Sequence, residues 1–262
     1  IIGDYLCIAG ISHLEIDKKE AFLFPPLTKT GDYKPSELRK TILEAKNIFE
    51  KKGQKFSIRL LPSHMNGIIE AAFPGELNFY EDRANHDYVY LTKDLIRLAG
   101  RQYHSKRNHL NYFKGHYNYK YVPLTSSMAE EAMSFIKEFN LRKQLPEYEM
   151  GLLRMEEVAM EDVFQNFGEI GYLSGALIID GRIQALSIGG LLGKKTVVVH
   201  VEKANTEYRG AYQAINNEFC RHMPPNIKYI NREEDMDLMN LREAKLSYRP
   251  VKFIEKYIVV IL

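Results

Sequence analysis

The stretch that decides the fold runs from Thr196 to Phe253. Its three informative segments are TVVVHVE (196–202), EYRGAYQAINNEF (207–219) and AKLSYRPVKF (244–253). The first is an apolar, β-branched run that predicts a strand, and the second predicts a loop that enters a helix at Arg209 and Gly210. The start of a helix carries unpaired N–H groups and the positive end of the helix dipole, so this junction is a candidate anion-binding loop.

The residues around this stretch predict a regular order of elements. Asp180-Gly181 between the apolar segments ALII and RIQALSI is a strong hairpin signal, and a turn containing Gly189, Gly190 and Gly193 leads to Thr196. These segments predict a three-strand antiparallel meander. Apolar spacing predicts two helices before the meander, one from 126 to before Pro146 and one at 149–167. After the meander it predicts a helix at 209–222, a strand at 227–231, a helix at 237–246 and a strand at 251–262.

The first half of the chain predicts a similar but degraded order. Strands are expected near 5–9, 13–16, 21–24, 56–61, 77–80, 87–91 and 121–124, and helices over 35–53, 63–72 and 108–113. Each half also holds a Gly-Tyr-Asn-Phe series after a strand, although the gaps between these residues differ. We therefore expect two domains, 1–124 and 125–262, the first of them incomplete at its N-terminus.

Composition limits the class of protein. Of the 262 residues, 45% are apolar and 27% are charged, which is typical of a globular chain, and no apolar run is long enough for a membrane helix. Cys7 and Cys220 have neither a disulfide framework nor a metal-ligand spacing, which favours the reducing cytoplasm and no metal site. The sequence does not start with Met, so we expect further residues upstream.

Charge is distributed unevenly although the net charge is only +2. Residues 93–120 hold seven Lys or Arg against one Asp, whereas residues 130–169 hold ten acids against four bases. This asymmetry favours a local anion-binding face over general nucleic-acid coating. Ordinary solvated helix faces are an equally good interpretation.

The loop after the central strand resembles the phosphate loop of GNAT-type acyltransferases. That loop reads Arg/Gln-x-x-Gly-x-Gly/Ala and cradles the pyrophosphate of coenzyme A with backbone N–H groups. Here Arg209 and Ala214 fit the first and last positions, but Tyr212 replaces the middle Gly, where a side chain would crowd the pyrophosphate. Alternatively, Gly210 only allows a tight turn and Tyr212 packs in the core.

The tyrosine motif resembles the GNAT pattern more closely. Ala244, Tyr248 and Phe253 have the spacing Ala-x-x-x-Tyr-x-x-x-x-Phe, in which the resemblance implies a Tyr that protonates the leaving group. Leu241 stands where the pattern has Asn, and Lys252 stands where it has Gly. A phenol can act as a general acid, although a buried tyrosine with one satisfied hydroxyl is the commoner case.

The strand before the loop offers a candidate base. His200 and Glu202 alternate along TVVVHVE and are expected on one face of the strand. An attacking amine must lose a proton, and Glu202 or a water that it holds could accept it. A half-exposed strand with polar alternation would have the same pattern.

Several segments together resemble a particular family. HVEKA, RGAYQAINNEF, and NREED followed by LREAKLSY are similar to bacterial proteins related to the C-terminal domain of phosphatidylglycerol lysyltransferase, over about 82–257. The resemblance implies an α+β fold with mixed sheets and tandem GNAT domains, akin to the Fem-type aminoacyltransferases. It also implies an aminoacyl-tRNA donor, which needs no coenzyme A cradle and so suits Tyr212. Tyr208, Arg209, Gly210, Ala211, Tyr212, Asn231 and Arg232 are then the expected donor-binding residues.

The basic segment 90–113 is then a candidate tRNA or anionic-lipid surface. Arg101, Lys106 and Arg107 are expected to contact phosphates, and Tyr103, Tyr112 and Tyr117 to stack on unpaired bases. The membrane-spanning portion of the lysyltransferase has no counterpart here, so a lipid acceptor does not carry over.

The sequence thus predicts a transferase that moves an aminoacyl or acyl group to an amine or hydroxyl, with Glu202 as base and Tyr248 as acid. Two alternatives remain open. One is an acyl-CoA-dependent N-acyltransferase whose loop accepts Tyr212, and the other is an inactive GNAT scaffold that binds RNA or protein. Neither the acceptor nor the oligomeric state follows from the residues.

Overall fold

The structure is a computed structural model that describes residues 1–15, 18–167, 169 and 171–262. The chain forms two compact units. The first contains 1–87, 234–237 and 253–262, and the second contains 88–233 and 238–252. The domain boundary expected between residues 124 and 125 therefore lies inside the second unit.

Fourteen strands and eight α-helices are assigned among the described residues. The strands are β1 (Tyr5–Leu6), β2 (Ala9–Glu15), β3 (Lys18–Leu23), β4 (Leu27–Thr28), β5 (Ile58–Pro62), β6 (Leu77–Glu81), β7 (Asp87–Leu91), β8 (Tyr119–Val122), β9 (Leu173–Ile179), β10 (Arg182–Leu192), β11 (Thr196–Ala204), β12 (Tyr229–Asn231), β13 (Lys252–Ile254) and β14 (Lys256–Ile261). The helices are α1 (Pro35–Lys51), α2 (Asn66–Ala72), α3 (Thr92–Arg97), α4 (His104–His116), α5 (Ala129–Leu141), α6 (Glu147–Gln165), α7 (Ala211–Arg221) and α8 (Met239–Leu246). Within this described part, no helix combines the length and apolar character that a membrane span needs.

The first unit is a five-stranded sheet in the order β2-β3-β5-β14-β6, together with α1 and α2. Pro35 suits the first turn of α1, where its missing N–H has no helical partner anyway. The apolar residues of α1 recur at helical spacing, and Leu38, Ile42, Ala45 and Phe49 are all buried in the core of this unit. The helix predicted over 35–53 is therefore confirmed.

The second unit is built on a sheet in the order β7-β12-β11-β10-β9-β8, and β13, whose first residue belongs to this unit, lies at the β7 edge. From β7 to β8, neighbouring strands are antiparallel except β11 and β12, which are parallel. The β9–β10 hairpin turns at Asp180 (φ 50°) and Gly181 (φ 76°), the left-handed pair of a type I′ turn. The predicted meander is thus confirmed, and β8 extends it to four strands.

Two details of the strand predictions are corrected. Gly189 and Gly190 lie within β10, so only Gly193 belongs to the turn before β11. The single strand expected over 251–262 is two strands, β13 and β14, which join different sheets. An apolar run indicates that the chain is extended but does not say which strand pairs with it. Ile16, the end of another expected strand, lies outside the described residues.

A β-bulge interrupts the pairing of β10 with β11. Ile188 is opposite Val201 and Gly189 is opposite Val199, so His200 is the extra residue on β11. At Gly189 the backbones are so close that an added Cβ would lie 2.2 Å from the carbonyl oxygen of Val198. The bulge therefore depends on glycine at this position.

The bulge changes which side chains face which helix. Val199 packs in the hydrophobic cluster that contains α7, whereas Val201 packs in the cluster that contains α5. In an uninterrupted strand these two residues would share a face. The extra residue shifts the alternation of side chains along β11, so Glu202 faces α7. The expectation that His200 and Glu202 share one face of the strand is therefore wrong.

We predict that Gly189→Ala destabilises the protein by about 1–3 kcal/mol, the usual cost of forcing extra atoms into a packed interior. The matched control is Gly190→Ala on the same strand, whose Cβ would lie 3.7 Å from the nearest atom, His200 Nε2. We expect this control to change stability by no more than ~1 kcal/mol. Urea denaturation of both variants measures the difference, and equal free energies of unfolding would contradict the close approach at Gly189.

Candidate functional site

The candidate site is the region just beyond the point where β11 and β12 stop pairing, and it is called the cleft below. The parallel ladder ends with Val198 opposite Asn231. Directly beyond it, Arg232 Nη2 donates a hydrogen bond to Glu202 Oε1 over 2.7 Å. The two side chains are only 14% and 8% exposed. A buried ion pair of this kind strongly penalises the loss of either partner, because the other charge would remain buried and unpaired.

The second oxygen of Glu202 is held by α7. Asn216 Nδ2 donates to Glu202 Oε2 over 3.1 Å, and Asn216 itself is buried. Sequence reasoning identified Glu202 but not Asn216. The available signal was the polar pair Asn216-Asn217 on a helix that also carries the apolar residues Ile215 and Phe219, because buried amides require hydrogen-bond partners.

Tyr248, the predicted acid, lies in the same cluster and is buried. The Arg232 guanidinium is 5.0 Å from its ring centroid, and the Tyr90 ring meets it edge-on at 6.5 Å. Burial is the main cause that raises the pKa of the Tyr248 hydroxyl, and the charge of Glu202 raises it further. The charge of Arg232 and a hydrogen bond with Gln213 lower this pKa in part. The net increase in pKa keeps this hydroxyl protonated at neutral pH.

Lys106 reaches the cluster from α4. Its ammonium group lies 4.5 Å from the centroid of the Tyr248 ring, a cation–π distance. Burial lowers the pKa of Lys106, and the charge of Arg232 lowers it further. Within the described part of the chain Lys106 makes no ion pair, so its charge is not balanced by a neighbouring carboxylate.

The predicted phosphate loop packs against α4. Gly210 has a left-handed backbone (φ 90°), and a Cβ there would lie 2.2 Å from the carbonyl oxygen of His109. The N–H of Ala211 donates to the carbonyl oxygen of Tyr208 over 2.9 Å. Gly210 is therefore needed both for its conformation and for the close approach of α4.

The side chains of this loop contact the same helix region. The Arg209 guanidinium lies 4.5 Å from the Tyr112 ring centroid, and Tyr208 meets Tyr117 edge-on at 5.1 Å. Tyr112 also stacks on His116 at 3.8 Å. These contacts place the predicted donor-binding residues Tyr208 and Arg209 beside α4.

Tyr212 stands between the ion pair and a groove. Burial, followed by the charge of Glu202, raises the pKa of Tyr212 to about 12, whereas a backbone hydrogen bond from Ala204 lowers it. Tyr212 also lines a groove of about 1030 Å³ between α5, the β9–β10 turn and residues 205–208. The side chain that replaces the middle Gly of the phosphate loop is therefore partly buried.

The three predicted anion-binding residues occupy different environments. Arg101 is exposed, and Lys106 joins the Tyr248 cluster. Arg107 Nη1 donates to the carbonyl oxygens of Leu98 and Gly100, beyond the end of α3. Arg107 thus caps α3, a role that its position in a basic run does not reveal.

The expectation that Tyr103 stacks on bases is corrected. Tyr103 is 4% exposed, and its hydroxyl donates to the carbonyl oxygen of Tyr248 over 3.2 Å. A ring enclosed in the core presents no face to a ligand. Tyr112 and Tyr117 remain partly exposed.

Asn231, predicted to bind the donor, shapes the turn after β12. Its Oδ1 accepts a hydrogen bond from the N–H of Glu233 over 2.8 Å, and Glu233 has a left-handed backbone (φ 55°). This turn directs Arg232 towards Glu202 and Glu233 towards His200, whose Nδ1 lies 2.7 Å from Glu233 Oε1. Two side-chain pairs therefore connect β11 with the residues after β12.

The second unit combines a mixed sheet with a helix that starts beside the central strand, and solved structures have the same overall fold. L-PGS from Bacillus licheniformis superposes with a TM-score of 0.63 at 12% identity, over 98% of this chain and 84% of that chain. FemX superposes with a TM-score of 0.52 at 8% identity, over 98% and 88%. At these identities the likeness establishes the fold alone, and the predicted fold class is confirmed.

The family is established by two further comparisons. The family described as phosphatidylglycerol lysyltransferase, C-terminal, matches residues 15–260, so this chain belongs to it. A conserved protein of unknown function from Bacteroides thetaiotaomicron VPI-5482 is 33% identical, with a TM-score of 0.83 over 99% of this chain and 83% of that chain. The predicted resemblance is confirmed.

A curated relative is longer than this chain. An uncharacterised protein of Mycoplasmoides gallisepticum is 24% identical over 183 residues, which are 67% of this chain and 56% of that protein. The chain thus spans little more than half the length of this relative.

We predict that the His200–Glu233 pair stabilises the fold more at low pH than at high pH. The hydrogen bond with Glu233 raises the pKa of His200 above 6.5, partly opposed by burial. A raised folded-state pKa contributes stability that is complete below the unfolded pKa and is lost as pH rises through the folded pKa. Glu233→Gln should therefore reduce the free energy of unfolding more at pH 6 than at pH 9.

Denaturation at both pH values, with Glu243→Gln as the control, measures this difference. Glu243 is an exposed acid on α8, so its amide variant should show no such pH dependence. An equal loss of stability at pH 6 and pH 9 in Glu233→Gln would contradict the prediction.

Proposed function

We propose that this chain is an aminoacyltransferase that takes an aminoacyl group from an aminoacyl-tRNA and passes it to an amine or hydroxyl acceptor. The family and the Fem-type fold support the transferase class. The choice of aminoacyl-tRNA as donor goes beyond what the family and the fold support, because fold alone does not assign a substrate. No separate cofactor is required, since the donor carries the activated ester.

The observation that carries this choice of donor is the packing at the start of α7. A pyrophosphate cradle needs backbone N–H groups that a ligand can approach. Here the backbone of α4 lies against Gly210, and Tyr212 fills the position that a coenzyme A loop keeps as glycine. These contacts disfavour an acyl-CoA donor and leave the cleft beside Glu202 and Tyr248 for an aminoacyl ester.

Glu202 acts as the base in this proposal. Its Oε1 is held by the charge-assisted bond from Arg232, whereas its Oε2 accepts a longer bond from the neutral Asn216 amide. A carboxylate oxygen can accept a second hydrogen bond, so Oε2 can receive one from the acceptor. As the acceptor oxygen or nitrogen bonds to the ester carbonyl carbon, its proton passes to Glu202.

Tyr248 acts as the acid. When the tetrahedral intermediate collapses, the ester C–O bond breaks and the ribose oxygen leaves as an alkoxide that needs a proton. The raised pKa keeps the Tyr248 hydroxyl protonated until this step. The ring is fixed by Tyr90, Arg232 and Lys106, so the donated proton comes from one defined position.

We predict that Tyr248→Phe slows aminoacyl transfer by ~10²–10⁴, the usual contribution of a positioned general acid. Release of a radiolabelled amino acid from charged tRNA, under single-turnover conditions, measures the rate. Tyr119→Phe is the matched control, because Tyr119 is also partly buried but its hydroxyl donates to Glu218, outside the cleft. Unchanged transfer by a folded Tyr248→Phe variant would remove Tyr248 from the acid role.

We predict that calorimetric titration with coenzyme A gives no binding in the micromolar range. We expect no binding because α4 covers the backbone at the start of α7 and Tyr212 stands where a coenzyme A loop has glycine. Micromolar binding would instead favour the acyl-CoA transferase, and the proposal of a tRNA donor would fail. A GNAT acetyltransferase of known activity is the positive control for the titration.

A further inference from the structure

We propose that Ser187 is a positioning residue for Glu202, and that its hydroxyl bonds to Glu202 Oε2 through one ordered water. This inference rests on the proposed function, because Glu202 is the base there. It goes further by adding a residue of β10, which no sequence motif singled out, to the groups that hold this carboxylate. The contact itself can be measured without turnover.

The pairing of β10 with β11 places Ser187 next to Glu202. The two residues are directly opposite each other in the antiparallel register, on the side of the bulge where the pairing is regular. Side chains that are directly opposite on one face of such a pair have Cβ atoms about 4.5–5.5 Å apart. Ser187 and Glu202 are therefore neighbours provided that both face α7.

The residues on either side of Ser187 show which face it occupies. Leu186 and Ile188 both pack in the hydrophobic cluster that contains α5. Successive side chains of a strand point to opposite faces, so Ser187 points to the other face of the sheet, against which α7 packs. Glu202 accepts its bond from Asn216 of α7 on that same face. The serine hydroxyl and the carboxylate thus lie under one helix.

Ser187 brings an unused hydrogen-bonding group to this position. Its side chain is fully buried, and Oγ has no hydrogen-bond partner among the described residues. Native interiors rarely leave a hydroxyl unpaired, and ordered water commonly satisfies such groups. Glu202 Oε2 has the complementary capacity, because it accepts a bond from Asn216 and a carboxylate oxygen can accept a second one.

The strand on the other side of β10 adds a second hydroxyl to this face. Gly175 of β9 lies opposite Ser187, and a Cβ built on Gly175 would overlap the Tyr121 hydroxyl. That hydroxyl therefore occupies the space above Gly175, beside Ser187. Tyr121, Ser187 and Glu202 form a polar row across β9, β10 and β11. A buried water typically makes about three hydrogen bonds, and this row offers three partners.

The bridge matters because Oε2 is the oxygen that takes the acceptor proton in the proposed transfer. Arg232 holds Oε1 over 2.7 Å, whereas Asn216 holds Oε2 over 3.1 Å. The water adds a bond to Oε2 from the side of β10. The carboxylate is then held from β10, from α7 and from the end of β12, which fixes its orientation towards the acceptor.

Free energies of unfolding distinguish this bridge from an idle core hydroxyl. If Oγ is unpaired, Ser187→Ala replaces a buried polar group by an apolar one and should stabilise the protein or leave its stability unchanged. If the bridge forms, the same variant deprives the water and the carboxylate of a partner. We therefore expect Ser187→Ala to lower the urea midpoint.

A double-mutant cycle identifies the partner of Ser187. Ser187→Ala is measured in the unmodified protein and in Glu202→Gln, whose amide keeps an oxygen for Arg232. The loss of stability should be markedly smaller in the Glu202→Gln background. Equal losses in both backgrounds, or a gain of stability in Ser187→Ala, overturn the inference.

Ser174→Ala is the matched control for the cycle. Ser174 lies on β9 opposite Ile188, which packs in the cluster that contains α5, so the same change occurs on the other face of the sheet. This variant should show no coupling to Glu202→Gln. Coupling as strong as that of Ser187→Ala would mean that the effect is not specific to the bridge, and the inference fails.

Single-turnover transfer from charged tRNA gives a readout that needs no variant of Glu202. Ser187→Ala should lower the rate at saturating acceptor by roughly tenfold with little change in KM, since a misplaced catalytic group can cost up to ~10² in rate. Ser187→Thr, which keeps the hydroxyl, should recover most of this rate. A folded Ser187→Ala variant that transfers at the full rate overturns the positioning role. If the unmodified protein transfers nothing, the proposed function fails, whereas the cycle still decides the contact.

Discussion

The buried pair between Arg232 and Glu202 is the interaction on which the rest of the cleft depends. It joins the end of β12 to the central strand at the point where their backbone pairing has stopped. Because each charge is buried, neither side chain can leave without exposing the other to an apolar interior. Arg232 in turn lies against Tyr90 and Tyr248. The position of the candidate acid is thus coupled to the ion pair.

The Arg232–Glu202 pair can form only because of the backbone geometry of β11. The extra residue at His200 shifts the alternation of β11, and Glu202 consequently faces α7. Two close backbone approaches support this arrangement, one at Gly189 within the sheet and one at Gly210 against α4. Both need a residue without a side chain. These two glycines are therefore as necessary to the cleft as its charged side chains.

Much of the fold and part of the site could be predicted from sequence. Apolar spacing predicted α1 and Asp180-Gly181 predicted the hairpin. The strand 196–202 and the tyrosine motif singled out Glu202 and Tyr248, both of which contact Arg232. The bulge could not be predicted, because one strand alone does not show how many residues face its partner. Lys106 was expected on a surface, but its contact with Tyr248 depends on tertiary packing of residues distant in sequence. For the same reason Tyr103 was misplaced and the capping contacts of Arg107 were missed.

The division of the C-terminal segment into β13 and β14 affects how the protein is made. In the first unit, β14 lies between β5 and β6 and pairs with both of them. Residues 256–261 therefore supply an interior strand to a sheet whose other members precede residue 82. On the ribosome the first unit cannot close its sheet when its own residues emerge, since the strand that joins β5 to β6 is translated after the whole second unit. This order of synthesis separates translation of the first unit from its completion, and leaves the edges of β5 and β6 unpaired in the interval.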